Sequence, residues 1–90
     1  MSKITIHCNP PVDEHAFFKR QLNSCGLSSV GFESKEEKEP WEEEGETLWI
    51  LSCSIEDKDN VVEQLNQFFI KEGCEGSCQI SETKEIIELG

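Results

Sequence analysis

Between Thr47 and Ile55 the chain runs Thr-Leu-Trp-Ile-Leu-Ser-Cys-Ser-Ile, and no other stretch limits the fold so tightly. In an extended chain successive side chains alternate sides, so Trp49, Leu51, Cys53 and Ile55 share one face while Leu48 and Ile50 share the other. Apolar residues on both faces at its start predict a central strand, partly covered on each side. A chain of 90 residues holds only one modest core, because about 60–65% of its unfolded surface can be buried at this size. Residues 1–90 are therefore expected to form a single domain around that strand.

The flanking segments supply what a central strand needs. Lys3 to Cys8 alternates, with Ile4, Ile6 and Cys8 on one face and Lys3, Thr5 and His7 on the other, as in a half-buried strand. Asn9-Pro10-Pro11 ends it, since proline cannot donate to a ladder. From about Val12 to Cys25 the period becomes helical, with Phe18, Leu22 and Cys25 forming the apolar stripe. Asp13 and Glu14 fall in the first turn, where carboxylates suit the helix dipole, and Gly26 is the expected stop. Ser29 to Glu33 reads as a short second strand with Val30 and Phe32 inward.

Beyond the central strand, Asp57 or Asp59 can cap a helix over roughly Lys58 to Glu72. Its stripe is Val61 or Val62, Leu65, Phe68 and Phe69, and Gly73 stops it. A last strand is expected near Ser77 to Ser81, with Cys78 and Ile80 inward. The tail Glu85-Ile86-Ile87-Glu88-Leu89 is apolar enough to add an edge strand or a helical turn. The order strand, helix, strand, strand, helix, strand predicts an α+β fold. Its expected form is a ferredoxin-like βαββαβ sandwich, an antiparallel four-stranded sheet with two helices on one face.

Charge sets the functional expectation. Nineteen acidic residues against eight basic ones leave −11, a field that repels nucleic acid and anionic membrane and attracts basic protein surfaces. The charge is clustered. Residues 33–46 hold eight carboxylates and two lysines, with Pro40, Trp41 and Gly45, and contribute −6 of the −11. This composition predicts an acidic loop or mobile hairpin connection. Within it Glu36, Glu37, Glu39, Glu42, Glu43, Glu44 and Glu46 surround Trp41, and these eight are the candidate partner-binding residues. Carboxylates speed encounter with a basic partner, and tryptophan is a favoured anchor at interfaces. The plain alternative is a solvated loop that keeps a small protein soluble.

Chemistry-bearing patterns are weak by comparison. Five cysteines is an odd number, and the N-terminus lacks the layout of an export signal, so a disulfide framework is not expected. Cys8, Cys25 and Cys53 suit the role of small buried hydrophobes. Cys74 and Cys78 form a CxxxC pair that follows a helix, whereas structural zinc wants four ligands in close pairs and a thioredoxin-type pair has two intervening residues. A turn with one buried and one exposed thiol is expected there. His7 and Cys8 are adjacent on a strand and so point to opposite faces, which prevents a catalytic pair. No phosphate-cradling glycine loop, Gly-x-Ser-x-Gly or His-Glu-x-x-His motif occurs, nor the aromatic and basic interleaving of an RNA-binding sheet. The expectation is no catalytic residue, no metal and no cofactor. With no apolar run near the roughly 20 residues of a membrane span, a soluble cytoplasmic protein is expected.

Several segments together resemble the family of regulators of ribonuclease activity B. They are the opening strand Ile-Thr-Ile-His, the first helix ending at Gly26, and the acidic stretch closing on Glu44-Gly45-Glu46. The apolar strand Leu48 to Cys53 and Val62-Glu63-Gln64-Leu65 in the second helix complete the match, which spans roughly Ile4 to Glu82. Gly76-Ser77-Cys78 stands where that family tends to carry glycine-tryptophan. The resemblance implies a small acidic bacterial protein with a ferredoxin-like fold that binds and inhibits the degradosome endoribonuclease, and it assigns no individual residue.

The leading expectation is thus a regulator or inhibitor that binds the basic surface of a nucleic-acid-processing protein such as a ribonuclease. It would touch neither nucleic acid nor membrane directly. One alternative is a nucleic-acid-mimicking phage anti-defence or toxin-immunity protein. Another is a cysteine-based metal or small-ligand sensor. A homodimer joined through sheet edges or the apolar tail is a third.

Overall fold

The two-sided apolar pattern around Trp49 places its strand between two partners. The computed structural model describes residues 3–43 and 45–90. In chain order these form β1 (Lys3–Cys8), α1 (His15–Ser24), β2 (Gly31–Glu37) and β3 (Glu46–Ser54). A 3-10 turn (Ile55–Asp57), α2 (Lys58–Lys71), β4 (Gly76–Ile80) and β5 (Ile86–Leu89) follow. The five strands make one sheet in the order β2-β3-β1-β4-β5, and every neighbouring pair is antiparallel. α1 carries the chain from β1 across β3 to β2, and α2 carries it from β3 across β1 to β4.

Alternation sends Ile4, Ile6, Cys8, Trp49, Leu51, Cys53, Cys78 and Ile80 to one face of the sheet. There they meet Phe18 and Leu22 of α1 and Val61, Leu65, Phe68 and Phe69 of α2 in one continuous core. The centre of that core is aromatic. Trp49 has no exposed surface, and its ring lies 5.1 Å from Phe18, 5.2 Å from Phe32 and 5.3 Å from Phe68. Offset and edge-on rings at such spacing add to what area burial alone provides.

Both helices end in the same device. Gly26 (φ 77°) and Gly73 (φ 69°) take the left-handed conformation that glycine adopts without steric penalty. The amide of Leu27 then donates to the carbonyl of Leu22, and that of Cys74 to Phe69, closing Schellman turns. This local geometry corrects one expectation. α1 stops at Ser24, so Leu27 enters the core instead of Cys25, which is exposed. At the other end α1 begins at His15, not near Val12, so Asp13 and Glu14 precede the helix instead of lying in its first turn. Asp57 does stand at the N-cap of α2, although its carboxylate makes no capping hydrogen bond.

Two further corrections concern the sheet. It has five strands, not four, because the tail turns back at Ser81–Glu85 and pairs with β4. The reversal is held by Ile80 N–H on the Glu85 carbonyl (2.9 Å) and Lys84 N–H on the Ile80 carbonyl (2.8 Å), and it buries Leu89. Ile55, expected on the inner face of β3, lies in the 3-10 turn and is 55% exposed, because the strand ends at Ser54. No helix of the described residues is long and apolar enough to cross a membrane.

The candidate site: an acidic hairpin beside an open sheet face

The acidic segment 33–46, expected as a loop or mobile hairpin connection, is a hairpin whose first five residues are strand. β2 extends to Glu37 and pairs with β3 in unbroken register from Gly31 opposite Ser52 to Glu37 opposite Glu46. Only residues 38–45 form the connection. The backbone ladder overrides the composition: once Phe32 and Leu51 fix the register in the core, each further residue pair closes hydrogen bonds regardless of side-chain charge. Glu37 and Glu46 consequently face each other directly across the strands, an arrangement that like charges disfavour.

At the tip Pro40 and Trp41 are the central residues of a turn closed by Glu42 N–H on the Glu39 carbonyl (3.0 Å). Proline at the second position suits such a turn because its φ is already set. Gly45 lies against the Glu37 carbonyl and Lys38, leaving no room for a Cβ, so the hairpin mouth closes only around glycine. Trp41 is 79% exposed.

Of the expected site residues, the fold gathers Glu36, Glu37, Glu39, Glu42 and Glu46 with Lys38 around an open hollow of about 590 Å³. Trp41 and Glu43 are exposed at the tip but do not line it. Glu44 lies outside the described residues. A hollow walled by five carboxylates and one ammonium can accept cationic groups, and a neighbouring bare indole can pack on a partner.

One constellation escapes sequence reading. A single oxygen of Asp13, Oδ1, accepts hydrogen bonds from the indole N–H of Trp49 (3.1 Å) and the Ser34 hydroxyl (3.0 Å), and lies 3.2 Å from His15 Nδ1. The Trp49 contact first, then His15 and Ser34, hold the Asp13 carboxyl below the usual carboxylate range. Asp13, His15 and Ser34 line a second hollow on the helix side of β2, with Lys19, Lys35 and Glu36, and Trp49 lies buried beneath it. No local pattern announces it, since Asp13 and Trp49 are 36 residues apart.

The cysteines are all free thiols. Cys8 and Cys78 are cross-strand partners facing the core, and burial first, then the neighbouring Cys78, pushes the Cys8 thiol up to about 12. Cys78 is buried and Cys74 exposed, so that pair does not converge on one site. His7 lies on the opposite face from Cys8, its Nε2 3.1 Å from the Ser81 hydroxyl. Among the described residues no group of three or more histidine, cysteine or carboxylate side chains is arranged to hold a metal ion. No protein-family model matches the chain, and no curated protein or solved structure matches it either.

Proposed function

We propose that this chain is an acidic regulator that binds the basic surface of a nucleic-acid-processing protein, in the first place an endoribonuclease, and inhibits it without catalysing a reaction itself. The observation that carries this reading is the hairpin tip: a tryptophan 79% exposed, next to a hollow walled by Glu36, Glu37, Glu39, Glu42 and Glu46. A surface that binds RNA is rich in lysine and arginine, and a carboxylate cluster competes for the same cations. The net charge of −11 extends the attraction beyond contact distance. Cytoplasmic location belongs to the same reading, as does the ferredoxin-like layout. On that view β1 to β4 with the two helices form the ferredoxin-like unit, and β5 is an added edge.

The test is binding of the purified chain to the degradosome endoribonuclease, with RNA cleavage as the second readout. The expected result is association that weakens at least tenfold between roughly 0.05 and 0.5 M salt, as screening shortens the reach of the charges. Trp41→Ala should weaken it by about 30-fold, the loss of one hot-spot residue. Affinity unchanged by salt, or by Glu39→Lys with Glu42→Lys, would sink the proposal.

A further inference from the structure

The sheet has helices on one face only. Its other face carries Leu48 and Ile50 of β3, His7 of β1, Gln79 of β4 and Ile86 of β5, and the register sets Ile50, His7, Gln79 and Ile86 in one row across four strands. Leu48 and Ile50 are half-buried, while Ile86 is 66% exposed. A trough of about 370 Å³ runs over this face, lined by Leu48, Ile86, His7, Asn9, Gln79, Ser77 and Glu37. Glu37 also walls the acidic hollow of the hairpin. The two depressions therefore share a side chain and form one surface, with aliphatic side chains set among polar ones over the sheet and carboxylates at the hairpin.

We infer that this surface docks a basic amphipathic helix of a protein partner. Its apolar stripe would lie on Leu48, Ile50 and Ile86, and its lysines or arginines would reach the hollow walled by Glu36, Glu37 and Glu46. This deepens the proposed function by naming what the partner presents. Charge selects the occupant: by strand alternation Glu33 and Glu37, with Lys35 between them, lie on this face of β2 and Glu88 on that of β5, so carboxylates outnumber the ammonium along the flanks of the row. The same sheet already packs two helices through its inner face, so its twist suits a helix laid across it. An amphipathic helix binds a groove through apolar anchors spaced along one side.

The test uses the full chain, labelled with nitrogen-15, and two synthetic peptides of equal length and charge at low salt. One is an idealised leucine and lysine amphipathic helix; the other replaces its leucines with glycine and serine. The leucine-containing peptide should shift the amide signals of His7, Leu48, Ile50, Gln79 and Ile86 and gain helicity on binding. Ile86→Lys and Ile50→Ser should each weaken it about tenfold or more while leaving the leucine-free peptide unaffected. Ile86 is exposed enough that its replacement leaves the fold intact, which keeps the test valid if Ile50→Ser destabilises the chain.

Equal binding of both peptides, with shifts confined to residues 36–46, overturns the docking of a helix on the sheet and leaves acidic docking standing. Binding of neither peptide overturns both. A dimer of the chain alone that dissociates on Ile86→Lys, or a short single-stranded RNA that shifts the sheet signals more strongly than the peptide, assigns the face to another occupant and also overturns the inference.

Discussion

β3 passes through two environments within nine residues. From Trp49 to Cys53 its inner side chains are buried in the aromatic core, and β2 and β1 flank it. From Glu46 to Leu48 it is the arm of a hairpin whose other arm ends Lys-Glu-Glu, with Glu37 opposite Glu46. The same ladder runs through both halves, so hydrogen bonding does not distinguish them. Packing does. The lower half is held by ring contacts near 5 Å; the upper half rests on backbone pairing and one bond from the Asn9 amide to the Thr47 carbonyl (3.0 Å), against electrostatic repulsion. The charges of this region oppose its own stability, and the proposed function assigns them to a partner.

That contrast can be broken most severely at Trp49. Trp49→Ala removes the ring that touches Phe18, Phe32 and Phe68, and should lower unfolding free energy by about 3–5 kcal/mol in urea titration. The other tryptophan is the control, since Trp41→Ala should stay within about 0.5 kcal/mol of the parent. Equal losses at the two sites would dissolve the distinction.

Asp13 gives the next largest effect. Asp13→Ala leaves the indole N–H of a fully buried Trp49 without its acceptor, at about 1–3 kcal/mol, and Asp13→Asn, which keeps an acceptor oxygen, should cost less. The folded-state carboxyl titrates below its usual value, so its contribution is complete above about pH 4 and is lost as pH falls through the lower folded value. Because the side chain is 45% exposed, solvent screening keeps this pH term small. Acid titration should therefore destabilise the parent slightly more steeply than Asp13→Asn, and identical acid limbs would remove the link.

At the hairpin the sign should reverse. Glu37→Lys turns a repulsive cross-strand pair with Glu46 into an attractive one and should raise stability by about 0.2–1 kcal/mol, with binding weakened. A loss of stability there would show that the Glu37–Glu46 pair does not strain the hairpin. The smallest perturbation probes the core without altering it. Ellman's reagent should react rapidly with Cys25 and Cys74 and reach Cys8, Cys53 and Cys78 only on unfolding, because burial raises all three of the latter thiols. Rapid modification of Cys78 would mean that the β4–β5 edge opens readily.

Much of this architecture is legible along the chain because it depends on neighbours in sequence. Alternation in Ile4, Ile6 and Cys8 and in Trp49, Leu51 and Cys53 places strand faces, and the Leu65–Phe68–Phe69 stripe with Gly73 places the second helix and its end. The acidity around Trp41 is legible in the same way. Other features are settled by groups far apart in sequence. Cys25 has the spacing of a core residue, yet the turn at Gly26 gives its place to Leu27. Asp13 reads as a dipole complement, yet its carboxylate serves an indole 36 residues away. The acidic stretch reads as a loop or hairpin connection, yet the register set by Phe32 and Leu51 carries its first residues into strand as far as Glu37. Local pattern determines which faces are apolar, because periodicity is a property of consecutive residues. Which surfaces meet, and that Glu37 joins the acidic hollow to the open face, is decided only when the sheet closes.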